Sequence, residues 1–194
     1  MLKIFASSLN ASPSRWRNRH RCACATLAVC LALGFGAQAQ ADLAREARIK
    51  SVLVIRLVKF IEWPGEIRAE PLNICTWGES STTAGLHSLQ GQSVREREIR
   101  VRKLSTSGAG PDSRGCQVLF VTDGARDINL DRLYSTGSPA LLTISEMPDF
   151  SKRGGIISLI TQDNRVAFDI HLRNARESGL QIGAPLLQLA RVVN

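Results

Sequence analysis

Two short apolar runs constrain the fold of this chain more than any other feature. Val118-Leu119-Phe120-Val121-Thr122 and Ala140-Leu141-Leu142-Thr143-Ile144 are continuous rather than alternating. An unbroken run of this kind marks a strand covered on both faces, as in the centre of a parallel sheet. Asp123-Gly124 ends the first run and Ser145-Glu146 the second, with a small helix expected between them at Leu130 to Tyr134. Doubly buried strands separated by short helical pieces predict an α/β layer sandwich with a mostly parallel central sheet.

The last third of the chain extends that sheet in the opposite sense. Ile156, Ile157, Leu159 and Ile160 form one β-rich run, and Val166, Phe168, Ile170 and Leu172 alternate strictly beyond Gln162-Asp163-Asn164. Two such runs around polar turn residues predict an antiparallel C-terminal hairpin. A helical piece from Arg173 to Ser178 is expected to stop at Gly179, a natural C′ residue, and Pro185 suits the first turn of a final helix running to Val193.

Upstream, Asp42 to Glu62 reads as a helix ended by Trp63-Pro64. Arg45, Arg48, Arg56 and Lys59 fall on one side of it, and Val54, Leu57, Val58 and Ile61 cover the other. Such a stripe is ordinarily a solvated face; Arg56 and Lys59 are nevertheless candidates for meeting an acidic partner. Leu72 to Trp77 is a strand, Thr82 to Leu89 a short helix, and Ile99 to Arg102 an exposed-edge strand with its arginines outward. The run Arg95 to Lys103 mixes signs and has no interleaved aromatic residue, so it reads as a solvated edge and not as a nucleic-acid patch.

The overall charge of +8 invites the same nucleic-acid reading until it is located. Of 25 Lys plus Arg, five (Lys3, Arg15, Arg17, Arg19, Arg21) stand in the first 41 positions with no acidic residue, which leaves 20 against 17 acidic residues in the body. Those 41 positions look like a cleavable export signal. Their basic residues end at Arg21, an apolar run follows from Cys22 to Phe35, and Ala37-Gln38-Ala39 or Ala39-Gln40-Ala41 offers the small residues a signal peptidase needs. A retained anchor is the alternative, although the run is shorter than the ~20 residues of a membrane span. The expected organisation is a leader over 1–41 and a single exported domain over 42–194, in a periplasmic or secreted setting.

Cys22, Cys24 and Cys30 leave with that leader, so Cys75 and Cys116 remain. An even pair in an oxidising compartment is a disulfide candidate, with two separately buried thiols as the alternative. Metal ligation has little support, because His87 and His171 lie at no ligand spacing from a cysteine or from each other. No Gly-x-Ser-x-Gly or His-Glu-x-x-His is present, and Gly108-Ala109-Gly110 lacks the third glycine and the leading strand of a dinucleotide fingerprint. Neither enzymatic activity nor a cofactor is expected. In parallel sheets ligands collect outside the carboxyl ends of the strands, which here are Trp77 to Glu79, Thr122 to Gly124 and Ser145 to Glu146. Trp77, Glu79, Asp123 and Glu146 are therefore the candidate ligand or partner residues.

Taken in order, six features resemble the YfiR-like family of small periplasmic proteins. They are Phe60-Ile61-Glu62-Trp63-Pro64; Leu72 to Cys75 with Gly78; Cys116 to Val121; Leu141 to Ser145; Phe150 with Gly154 to Ile157 and then Val166 to Ile170; and Leu186 to Ala190. The resemblance implies a Rossmann-like domain without catalytic residues. It implies a repressor that binds the periplasmic sensor segment of an inner-membrane diguanylate cyclase, relieved by an outer-membrane lipoprotein, and so a brake on cyclic-di-GMP synthesis and biofilm formation. Family members also carry two cysteines matched by Cys75 and Cys116, which supports a bond between them. This chain departs from the family at His171, where the usual residue is asparagine, and at Gly183-Ala184-Pro185, where the family has Ser-Ser-Lys. His171 is expected to be a surface or hydrogen-bonded residue, with a pH sensor as the sharper alternative. From a different functional class, a periplasmic small-ligand sensor or carrier using the strand-end crevice is the competing reading. The sequence leaves a homodimer open.

Overall fold

The computed structural model describes residues 40–65, 70–106, 110–125, 127–136, 140–162 and 165–193. Compactness divides the chain at Asp42, and the fold is that of the body from Leu43 onward. A first helix, α1, covers residues 40–58. The strands that follow are β1 (Ile61–Glu62), β2 (Leu72–Trp77), β3 (Ser93–Val94), β4 (Arg97–Leu104), β5 (Val118–Val121), β6 (Leu142–Ser145), β7 (Ile157–Gln162), β8 (Arg165–His171), β9 (Gln181–Ile182) and β10 (Arg191–Val193). Helices α2 (Ser81–His87), α3 (Leu130–Thr136), α4 (Leu172–Glu177) and α5 (Ala184–Leu189) lie among them.

Eight strands form one sheet in the order β10-β8-β7-β6-β5-β2-β4-β3, and β1 pairs with β9 in a two-stranded ribbon. The pairs β4-β2, β2-β5, β5-β6, β6-β7 and β8-β10 are parallel, whereas β7-β8 and β3-β4 are antiparallel. This is the mainly parallel sheet with an antiparallel hairpin that the apolar runs predicted. The hairpin registers Ile157 with Ile170 and Gln162 with Arg165. Its turn residues Asp163 and Asn164 lie outside the described residues.

The apolar runs are continuous because both sheet faces are covered. Along β5, Val118 and Phe120 enter one core with Val54, Leu57 and Val58 of α1. Leu119 and Val121 enter the other with Leu130 and Leu133 of α3. Alternate side chains thus go to opposite layers, and neither face of a central strand has room for a polar residue that lacks a partner. Thr143 of β6 fits because its Oγ1 accepts from Ile156 N at 3.0 Å.

Three expectations are corrected. The first helix stops at residue 58 and does not reach Glu62. Lys59 N and Phe60 N turn back to Arg56 O and Leu57 O, so the helix closes in a tight turn, and Ile61–Glu62 pairs antiparallel with Gln181–Ile182. The strand at Ile99 to Arg102 runs from Arg97 to Leu104, and its edge is partly covered by β3. Arg100 and Arg102 are exposed, but Arg97 is buried, donating to Glu70 O and Pro71 O at 2.8 and 3.1 Å. The final helix ends at Leu189; Ala190 is extended, and Arg191–Val193 adds a parallel edge strand beside β8. What holds that strand is buried Asp169, which accepts two hydrogen bonds from Arg191, at 2.7 and 2.6 Å. Among the described residues no helix is long and apolar enough to cross a membrane.

Candidate functional site

The carboxyl ends of the three central strands finish level. Trp77 registers with Val121 and Val121 with Ser145, which brings Gly78, Thr122 and Glu146 to one end of the sheet. Their approach is close enough that a Cβ on Gly78, whose φ is +89°, would stand 1.9 Å from Thr122 Oγ1. Ser145 Oγ ties the same end, donating to Val121 O at 2.7 Å and accepting from Met147 N at 3.0 Å.

At this end each predicted residue has a definite place. Trp77 is buried, and its Nε1 donates to Ser105 O at 3.1 Å, so its ring belongs to the core beneath the strand ends. Glu79 is exposed and pairs with Lys103, whose hydrogen bond holds the Glu79 carboxyl below its ordinary range. Asp123 opens a short 3-10 turn and faces solvent. Glu146 accepts from Lys50 Nζ at 3.2 Å and from Thr82 Oγ1 at 3.0 Å. Lys50 also meets Glu46 at 2.7 Å, and Glu46 accepts from Thr161 Oγ1 at 2.6 Å. Burial works against the Lys50 ammonium, but hydrogen bonds and charge from Glu46 and Glu146 outweigh it and raise its pKa. The crest therefore carries a chain of alternating charge that pins α1 to α2, β6 and β7.

Arg56 and Lys59 are not part of this crest. They stand six and nine residues beyond Lys50 on the helical path, roughly 9–14 Å along the axis. There they share an outer surface with Ile49, Val52 and Phe60, which are exposed at 46%, 36% and 39%. Neither Arg56 nor Lys59 makes an ion pair among the described residues, and with the exposed apolar side chains they form a basic and apolar outer face.

Cys75 and Cys116 are joined, with Cα atoms 5.8 Å apart, which decides between the bond and two separate thiols. The bond lies in the α3-side core, and Arg102 Nη2 sits 3.2 and 3.7 Å from the two sulfurs while donating to Arg114 O at 2.8 Å. Arg102 therefore roofs the bond and links β4 to the loop before β5. His171 is the N-cap of α4: its Nδ1 accepts from Asn174 N at 3.2 Å and satisfies one of the free N–H groups of the first turn. Gly183 caps α5 without a side-chain hydrogen bond, and proline in the first turn supplies the helical φ instead.

Sequence reasoning did not find a further concavity among the described residues. It lies at the other end of the sheet, before β6 and β7, with a volume of ≈ 680 Å³. Tyr134, Leu141, Gly154, Asn174 and Gly179 are among its lining residues. Its floor is a closed hydrogen-bond network. Tyr134 Oη contacts Thr143 Oγ1 at 2.6 Å and donates to Gly154 O at 3.2 Å, where Asn174 Nδ2 also donates at 2.7 Å. Burial pushes the Tyr134 phenol up to about 12, against a smaller lowering by Thr143. These residues come from four separated stretches and form no spaced motif, so no local signal announced them. Among the described residues no group of three or more His, Cys, Asp or Glu is placed to hold a metal ion.

No curated protein is matched by this chain. A family model described as YfiR/HmsC-like matches residues 47–191, which include α1 from its third turn, every central strand, both bonded cysteines and the final helix. With well over half of its length matched and the layered α/β body in place, the chain belongs to the YfiR/HmsC-like family.

Proposed function

We propose that this protein is a non-catalytic periplasmic regulator that docks on the periplasmic sensor part of an inner-membrane diguanylate cyclase and lowers cyclic-di-GMP output. The observation that carries the reading is the family match over residues 47–191. In this reading residues 1–41 are removed on export and the mature protein is the single domain over 42–194, which agrees with a disulfide at Cys75–Cys116. The outer face of α1 supports a docking role. Arg56 and Lys59 supply charge for steering an acidic partner, and Ile49, Val52 and Phe60 supply apolar area that would be desolvated on contact.

Two measurements test it together. Deleting the coding region should raise cellular cyclic-di-GMP, and a membrane cyclase should co-purify with the tagged protein. Arg56→Glu/Lys59→Glu should keep the fold, weaken capture of the cyclase at least tenfold and reduce its salt dependence. Unchanged cyclic-di-GMP together with failure to recover any cyclase would remove this reading.

A further inference from the structure

The cleft before β6 and β7 has a chemistry that nothing above uses. Asp131 and Glu177 lie on its lining, both exposed, and neither makes an ion pair among the described residues. No described residue that lines it is basic. Pro64, Ala140 and Leu141 add apolar wall, and Tyr134 adds an aromatic ring.

Most of the side-chain donors around the cleft are already committed. Tyr134 donates to Gly154 O, and Asn174 Nδ2 donates to the same carbonyl. With the single Tyr134 hydrogen on Gly154 O, Thr143 Oγ1, which also accepts from Ile156 N–H, donates to Tyr134 Oη. Ser135 Oγ donates to Arg132 O. The backbone N–H groups of Gly154, Ser178 and Gly179 are spent on Ser151 O, Asn174 O and Arg176 O. Of the side chains just described, what remains is one Asn174 Nδ2 hydrogen against a larger acceptor capacity: Asn174 Oδ1, the Ser135 lone pairs and two carboxylates. The last turn of α4, with Glu177, reaches this region, and a helix favours positive charge at its carboxyl end, whereas α3 lies along the cleft from Asp131 in its first turn to Ser135. A cavity of ≈ 680 Å³ falls in the size range of small-molecule sites.

We propose that this cleft binds a small organic cation bearing several N–H donors, an amine or a guanidine, with its charge at Asp131 and Glu177 and its carbon skeleton against Tyr134, Leu141 and Pro64. An anion would meet two carboxylates and few donors. A bare metal ion would find too few charged ligands, since two carboxylates from different helices make no coordination shell. The proposal is independent of the regulatory reading, because it rests on the opposite end of the sheet from the crest and involves neither Arg56 nor Lys59.

Calorimetry and thermal unfolding of the purified protein with agmatine and spermidine test it, with tetramethylammonium, succinate and calcium as comparison probes. Agmatine or spermidine should bind and raise Tm, and tetramethylammonium, which has charge but no N–H, should bind more weakly. Asp131→Asn/Glu177→Gln changes two exposed side chains and should lower amine affinity at least about tenfold while moving the unliganded Tm by no more than about 4 °C, the share of Asp131 in the first turn of α3. Equal amine affinity in that variant, an equal response to succinate or calcium, or no response to either amine at about 10 mM would overturn the proposal.

Discussion

Replacing both bonded cysteines, Cys75→Ala/Cys116→Ala, has a magnitude that can be worked out from the structure. The bond joins positions 41 apart, and the loop it closes carries α2, β3 and β4, the elements on one flank of β2. Closing a loop of that length removes about 13 cal/mol/K from the unfolded chain, or ~4 kcal/mol at 25 °C. On the native side both residues are buried, at 0% and 2% exposure, so truncation also leaves two small voids worth ~1 kcal/mol each. The entropy term alone predicts a Tm lower by about 8–16 °C for a domain of this size. Urea unfolding followed by tryptophan fluorescence provides the assay, since Trp63 and Trp77 are 9% and 8% exposed and would report the transition. Three samples decide it: the oxidised protein, the reduced protein with both thiols alkylated after unfolding and counted, and the double variant. The oxidised protein should exceed both others by roughly 4 kcal/mol or more, and their m-values should be larger, because an unlinked unfolded chain exposes more surface. A difference below about 1 kcal/mol, with reduction verified, would refute the chain-entropy argument.

Gly155→Ala would set a Cβ 2.2 Å from the Phe150 ring, which is fully buried, so stability should fall by about 1–3 kcal/mol in urea titrations; an unchanged midpoint would show that the ring moves freely. Tyr134 is the sole tyrosine of the chain, so phenolate absorbance reads its titration directly. Its pKa of about 12 exceeds the unfolded value near 10, so the unfolded state loses its proton first. The resulting stability is complete below pH 10 and is lost as pH rises toward about 12, up to ~3 kcal/mol. Tyr134→Phe should flatten that alkaline loss, and identical alkaline limbs would count against it. His171→Ala should cost about 1 kcal/mol in urea titrations through loss of the α4 cap, while His171→Asn retains it. Equal stability of the two variants would remove His171 from the cap.

Much of this architecture is legible in the order of the amino acids. The doubly buried strands follow from unbroken apolar runs, and the hairpin from strict alternation on its second strand, because both patterns record which faces of a strand meet water. Of the candidate residues, Trp77, Glu79, Asp123 and Glu146 are picked out by where parallel strands end, and the sheet does gather those ends. The sequence has no way to show that Trp77 is fastened to Ser105 O or that Glu146 is held by Lys50 and Thr82. Those partners lie 28, 96 and 64 positions away, beyond the reach of any local pattern.

The amino-acid sequence by itself determined the layered α/β class, the central strands, the mixed-charge character of the Arg95 to Lys103 run and the family pattern. All of these depend on side-chain chemistry repeating at short spacing. Only tertiary structure decided the ends. Ile61–Glu62 continues a helical pattern but becomes a strand because Gln181–Ile182 lies beside it, and Arg191–Val193 becomes a strand because Asp169 and β8 are there to receive it. The cleft at Tyr134 was likewise decided only in three dimensions. Its acceptor-rich wall exists because distant residues spend their donors on one another, a balance that no single stretch of sequence contains.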